Sequence, residues 1–374
     1  MKVGVITTID TNIGDDFIRT GIQNILGKAF EAEKIEYVLV NKHVPYTAYP
    51  KGHPLRYVPD MRSVKGGGRA GLLLARMLSP LGGSRFDSCD LIIQSGAPVL
   101  WPNCEQCEWN IPIWQQIVGR LHKKIPVFNI AAGSCYPWEQ QPPGSFINPR
   151  EKEYATTIGS YCKLTTTRDE LANALFNSVG RSNILKPCTA FFVDPQFEND
   201  NPGEYILVNY MKGGGHFSWD QEINDRAWET TMRDVINELK KNHEVRFICH
   251  DEKEAKLAKE LDPSLKIHLP KSVDEYIACV RKATVGINNR MHASVAMASA
   301  GVPAISVCTD TRLLMLKNIG LPNFYVKDMT SVSLIASVQQ LINNRATERK
   351  RLQELKKKTF GEYKQLFADN FIPR

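Results

Sequence analysis

Strand-like runs alternating with helix-like runs constrain this chain more than any other feature. KVGVITT, IEYVLVN, DLIIQS, IPVFNIA and KLTTT punctuate the first half, and YILVNY, EVRFICH, LKIHL, TVGIN and PAISVC the second. Short, apolar runs of this kind, separated by amphipathic helical stretches, fit parallel sheets covered by helices on both faces. The expected fold class is therefore α/β, in two lobes. Between the halves, residues 194–204 (DPQFENDNPGE) are polar and carry two prolines and a glycine, which marks a linker. The expected division is an N-terminal α/β domain over 1–193, the linker, a C-terminal α/β domain over 205–344, and a charged helix within 345–374 that packs back across the lobes. Two lobes joined once put the active site in the cleft between them.

With 374 residues and 43% apolar content, the chain can bury a large core. Its 47 basic and 40 acidic residues leave a formal charge of +7, which suits phosphorylated or carboxylated partners but also fits an ordinary enzyme. Nucleic acid is not an expected partner, because the basic residues of ERKRLQELKKK are interspersed with acidic ones on a solvated helix and no recognition module is evident. The start MKVGVITTID enters a strand at once, without the features of a signal peptide. The expected location is cytoplasmic, with peripheral contact at the inner face of the membrane left open and no oligomeric state specified. The longest apolar stretch, residues 70–81, is broken by Arg76 and Pro80 and falls short of the ~20 residues that span a bilayer. The nine cysteines sit mostly in strand-like contexts and read as reduced core residues. Cys104 and Cys107 have metal-ligand spacing but no companion pair, so no metal is expected.

Candidate chemistry clusters where strands give way to helices, because carboxyl ends of parallel strands and the following helix amides line ligand crevices. In TVGINNRMHASVAMASAGVPAISVC, residues 284–308, a strand, a turn and a small-residue helix place Arg290 and His292 at such a junction. Arg290 offers a bidentate cation, and His292 a group that exchanges protons near neutral pH. After the first strand, Asn12, Gly14, Asp15 and Asp16 form the turn into a helix; one aspartate suffices as cap, leaving the other to meet a sugar hydroxyl or act as base. QSGAPVLWPNCEQCEWNIPIW places Trp101, Trp109 and Trp114 near the third strand, as sugar platforms or as core. Arg168 opens another helix, aimed at the crevice or paired with Asp169 or Glu170. YMKGGGHFSW lacks the Walker spacing and is either a phosphate-facing loop or an exposed turn. His250 and Asp251 fit a helix cap. The segment 42–88 carries Pro45, Pro50, Pro54, Pro59, Gly66, Gly67, Gly68 and the cations Arg56, Arg62, Lys65 and Arg69; it is either a lid that meets phosphate or a solvated excursion.

In order along the chain, NIGD at 12–15, DLIIQSG at 90–96, TRD at 167–169, Asp194-Pro195, SVDEY at 272–276, NRMH at 289–292 and AGVP at 300–303 resemble the polysaccharide pyruvyl transferase family. The resemblance covers nearly the whole chain, and the Arg-x-His and Gly-Val-Pro block carries most of it. It implies two Rossmann-like lobes arranged as in the GT-B fold, and transfer of pyruvyl from phosphoenolpyruvate to a sugar of a glycan, or of a lipid- or nucleotide-linked precursor, as a ketal. No cofactor is implied beyond that donor. Arg168, Arg290 and Arg312 would bind the donor on the C-terminal side, with His292 as general acid and Asp15 orienting or deprotonating the acceptor. Asn12, Gly14, Gly96 and Trp101 would contact the acceptor. The chain departs from the family in SGAP at 95–98, which includes Ala97 in place of a glycine run, and in Thr309 and Arg312 where Tyr and Lys are usual; Arg312 keeps the cation. A glycosyltransferase using a nucleotide sugar and a non-catalytic glycan- or anion-binding protein are the competing expectations.

Overall fold

The computed structural model describes residues 1–9, 12–57, 77–78, 82–217 and 219–373. Strands β1 (Lys2–Thr7), β2 (Glu36–Asn41), β3 (Leu91–Leu100), β4 (Val127–Ser134), β5 (Leu164–Thr167) and β6 (Ile184–Leu185) form one parallel sheet in the order β2-β1-β3-β4-β5-β6. Strands β7 (Tyr205–Asn209), β8 (Val245–Ile248), β9 (Lys266–His268), β10 (Ala283–Asn288), β11 (Ala304–Cys308) and β12 (Asn323–Tyr325) form the other, in the order β12-β11-β10-β7-β8-β9. The inner strands β1 and β7 are buried on both faces, presenting Val3, Val5, Ile6 and Ile206, Leu207, Val208 at 1% exposure or less, whereas the edge strands β2, β6 and β9 keep exposed or half-buried positions.

The sheet orders locate the ligand site before any side chain is considered. Strand order reverses between β1 and β3 in the first lobe and between β7 and β10 in the second. Crevices open at the carboxyl ends of strands at such switch points. The turn after β1 leads into helix α1 (Ile13–Ala29), and the turn after β10 into helix α5 (Met291–Ser299), so the NIGD and NRMH segments face the same cleft.

The helices that frame this cleft follow simple local rules. Helix α1 buries Phe17, Ile18, Ile22, Ile25 and Leu26, a helical-period stripe, and its cap is Asn12, whose Oδ1 accepts the Gly14 N–H at 3.0 Å. Helix α2 (Glu170–Ser178) is capped by Asp169, α3 (Glu252–Leu261) by Asp251, and α4 (Val273–Arg281) by Ser272. Phe17 of α1 packs on Tyr276 of α4, with ring centroids 4.8 Å apart, so the lobes share apolar contact behind the cleft.

The long terminal helix α6 (Arg345–Asn370) joins both lobes. At its start Arg345 donates to the Thr284 carbonyl at 3.1 Å; near its end Tyr363 donates to the Pro187 carbonyl at 2.9 Å and Glu362 pairs with Lys186 at 2.6 Å. Between them the buried Lys356 ammonium donates to the carbonyls of Asp194, Gln196 and Ser299 at 2.7, 2.6 and 2.7 Å. Those three bonds use every donor the ammonium has and fix residues 194–196 against the end of α5. All nine cysteines are free, and burial pushes most of their thiols up, those of Cys162 and Cys249 to about 12. No helix among the described residues is long and apolar enough to cross a membrane.

Candidate functional site

A cleft of about 550 Å³ opens between the lobes, with Asp15, Lys42, Trp101, Glu108 and Trp109 on the first side and His216, Phe217, Trp219, His250, Arg290, His292 and Arg312 on the second. Asn12 and Gly14 also line it. The cap assignment differs from the sequence expectation: Asn12 takes it, Asp16 pairs with Arg19 at 2.5 Å, and Asp15 alone faces the cleft. Burial opposes ionisation of Asp15, but the neighbouring Lys42, Thr8, His292 and Arg168 together hold its carboxyl below the usual range. Asp15 is thus an anion among cations.

His292 reaches α1 from the other lobe. A side-chain carbon at Gly14 would lie 2.9 Å from His292 Nδ1, so glycine is what allows the approach. Gly14→Ala is expected to displace the imidazole and depress turnover far more than thermal stability; unchanged turnover would show that the approach is immaterial. Arg168 Nη1 lies 3.1 Å from His292 Nε2. Arginine can only donate, so Nε2 accepts and the imidazole proton sits on Nδ1. Burial, then the adjacent Arg168, hold His292 well below the ordinary histidine range, which makes it neutral in the empty cleft.

Arg168 itself corrects the expectation that it binds donor directly. It is 0% exposed and does not line the cleft; its Nε and Nη2 have no hydrogen-bond partner among the described residues. The local pairing weighed from sequence is absent too, because Asp169 is occupied by Ser134 and the Ala172 N–H. A bulge in β4, where Ala131 takes φ 56 and the register with β5 shifts, brings Gly133 beneath the guanidinium. A carbon added at Gly133 would stand 2.3 Å from Arg168 Nε. Arg168 therefore meets His292 from behind, away from the cleft lining.

Arg290 is more heavily engaged than its sequence suggests. Its Nε donates to Glu254 Oε1 at 2.6 Å, its Nη2 lies 3.7 Å from Asp251, and its Nη1 donates to His216 Nδ1 at 2.8 Å. Glu254 is in turn held by Asn209 Nδ2 and the His250 N–H, each at 2.8 Å. Arg290 occupies the cap position of α5 without a side-chain cap bond, so the first-turn amides of that helix remain available to an anion. Arg312 is gripped by Asp310 through Nε at 2.8 Å and Nη2 at 2.6 Å, and stacks 4.8 Å from the Phe217 ring.

The remaining expected residues divide. Trp101 lines the cleft with its ring 5.5 Å from that of Trp109, whereas Trp114 is buried core. Gly96 is a correction: it lies outside the cleft lining, with φ +42 and room only for hydrogen where a carbon would meet Ile18 at 2.4 Å, so its role is close packing of β3 on α1. Thr309 is 1% exposed, behind Gly215, and its carbonyl accepts from Gln221 at 2.8 Å. The Lys212 ammonium faces Asp225 at 3.6 Å instead of the cleft. In the segment 42–88, Arg56 donates to the Tyr49 carbonyl at 2.8 Å, while Pro59, Arg62, Lys65, Gly66, Gly67, Gly68 and Arg69 lie outside the described residues. His250 is not merely a cap neighbour: it lines the cleft, with Nε2 3.2 Å from the Tyr276 hydroxyl. Lys42, Glu108 and Glu254 escaped sequence analysis. Lys42 follows the carboxyl end of β2, the position rule that had located the others. Among the described residues no group of three or more His, Cys, Asp or Glu side chains converges as metal ligands would.

Burial lowers the histidines of the cleft, and this has a sign for stability. His216 and His250 are held at about 4, by burial first. Unfolded histidine titrates near ~6.5, so between that value and about 4 the unfolded chain binds protons that the folded chain refuses. The stabilisation is complete above the unfolded value and is lost as pH falls through the window. Thermal midpoints should drop steadily from pH 7 to 5; a flat profile would contradict the buried-neutral assignment.

Two parallel-sheet α/β lobes meeting at an ionic cleft define a protein of GT-B fold. The chain belongs to the polysaccharide pyruvyl transferase family, whose model matches residues 12–310. No curated protein matches it. Among solved structures it is similar to UDP-GlcNAc 2-epimerase from Neisseria meningitidis bound to UDP-GlcNAc, at 13% identity and TM-score 0.57, covering 99% of each chain. It is similar also to the S. aureus MnaA–UDP co-structure, at 13% identity and TM-score 0.55, covering 100% of this chain and 98% of that one. These likenesses establish the GT-B fold.

Proposed function

We propose that the chain transfers the pyruvyl group of phosphoenolpyruvate to two hydroxyls of a glycan, or of a lipid- or nucleotide-linked precursor, as a ketal. The observation that carries this reading is the approach of Asp15 and the Arg168–His292 pair across the cleft, beside the open amino end of α5. An enol phosphate carboxylate needs cations and helix amides for its two anionic groups, and a proton donor for its methylene carbon.

The bonds balance as follows. A proton adds to the methylene carbon, an acceptor oxygen bonds to the adjacent carbon, and a second acceptor oxygen displaces phosphate. One of the two hydroxyl protons replaces the proton now in the methyl group, and the other leaves with phosphate. Neutral in the empty cleft, His292 gains proton affinity when an anionic donor settles beside it, which makes it an acid only when there is something to protonate. Ionised Asp15 is the base for the acceptor hydroxyl. The tryptophans on the first lobe offer faces for the sugar rings. The scheme uses no cofactor besides the donor.

Phosphate release from phosphoenolpyruvate, dependent on an added lipid- or nucleotide-linked glycan, tests this function; no release with any such acceptor would sink it. A nucleotide-sugar enzyme is the second reading, favoured by the UDP and UDP-GlcNAc of the similar structures. Thermal protection by UDP and none by phosphoenolpyruvate would select it.

A further inference from the structure

The cations of the cleft are not equally free to hold a ligand. Arg290 and Arg312 are already on carboxylates: Glu254 and Asp251 for the first, both oxygens of Asp310 for the second. Lys42 is different. Its side chain is 3% exposed, yet it lines the cleft, and its ammonium has no hydrogen bond and no ion pair at contact distance among the described residues. It lies over the face of Trp109, 5.2 Å from the ring centroid. An ammonium has three donors, and here all three are left to whatever occupies the cleft.

The same side of the cleft holds the second under-used cation, Arg168, with two nitrogens unpartnered behind His292. Asp15 is a carboxylate whose charge couples to both. The arginines of the second lobe are thus largely neutralised by their own neighbours, whereas Lys42 of the first lobe feels Asp15 and Glu108 without spending a donor on either.

We propose that Lys42 is an anion-binding residue of the first lobe that receives the phosphate of the donor, so that the donor bridges the cleft instead of sitting wholly on the C-terminal lobe. This rests on the pyruvyl-transfer reading for the identity of the donor, but the site itself is defined by its charge. A tetrahedral phosphate suits the point charge of a lysine, and a carboxylate suits the amides at the start of α5 across the cleft. The phosphate leaves in the reaction, and an ammonium beside it stabilises the charge as it develops without any proton having to move. Lys42 also lies beside Asp15, so the departing anion would be held next to the base that serves the acceptor.

Calorimetric titration of inorganic phosphate, phosphoenolpyruvate and pyruvate into the full chain, Lys42→Met and Lys42→Arg tests this directly. Lys42→Met should weaken phosphate and phosphoenolpyruvate by about tenfold or more while leaving pyruvate unchanged, since a hydrogen bond to a charged group is lost. Lys42→Arg keeps the charge, guards against a variant that fails to fold, and should retain most of the phosphate affinity. Wild-type phosphate affinity in Lys42→Met, an equal loss of pyruvate, no rescue by Lys42→Arg, or absence of phosphate binding in the wild type would each overturn the assignment. Phosphate binding through Lys42 without pyruvyl transfer to any glycan would leave this site standing and remove the transfer reading instead.

Discussion

His292→Ala should abolish pyruvyl transfer, lowering kcat on the order of 10²- to 10⁴-fold, the usual contribution of a positioned proton donor. The imidazole is the partner of Arg168 and the group closest to Gly14, so its removal empties the meeting point of the two lobes. It also leaves the buried guanidinium without that acceptor, which costs about 1–3 kcal/mol. Activity and stability must therefore be measured together. Phosphate release followed under donor saturation, with thermal midpoints alongside, separates them: a folded His292→Ala variant that keeps more than about a tenth of wild-type kcat would remove His292 from the role of acid. His292→Gln, which can still accept from Arg168, should recover stability and no activity.

Arg290→Ala is expected to produce the largest loss of stability among single changes in the cleft, about 3–5 kcal/mol, because it strands a buried carboxylate. Glu254 has only 2% of its side chain exposed, and Arg290 provides its shortest charged contact, at 2.6 Å. Asn209 and the His250 amide remain, but neither brings a charge. Arg290→Ala with Glu254→Gln should restore most of the midpoint in a thermal melt while phosphoenolpyruvate affinity stays low. If the double variant is no more stable than the single, the ion pair is not what holds this wall of the cleft. The distinction matters because the ion pair with Glu254 and the proposed contact with the donor are separate matters, and the double variant separates them.

The fold was legible to the extent that its signals were local. Each lobe's alternation of apolar strand and helix appears in the sequence, and carboxyl-end junctions follow from it; this is why NIGD and NRMH could be set at one cleft. What sequence did not reveal depends on partners distant along the chain. Arg168 reads as a surface or crevice cation beside Asp169, but a bulge at Ala131 and a bare Gly133 open a pocket in which it is fully buried. Gly96 stands in a family-like motif, yet its conformation serves contact with Ile18. Glu254 looks like one more acid on a charged helix until Asn209 and Arg290 converge on it from β7 and β10. Lys42 follows the position rule but has no neighbouring motif to draw attention to it. Burial also changes the chemistry of His292: the sequence offers an imidazole near its ordinary range, whereas burial and the adjacent Arg168 hold it well below that range in the folded site.

The central claim is that the cleft between Asp15 and His292 receives phosphoenolpyruvate. Titration of phosphoenolpyruvate into the purified chain, in the absence of acceptor, tests it most directly. The account predicts saturable binding to one site per chain, raising the proton affinity of the His292 imidazole as followed by NMR and weakened by Arg290→Ala. Binding of UDP with no detectable binding of phosphoenolpyruvate, or phosphoenolpyruvate binding that leaves His292 unchanged, would contradict it.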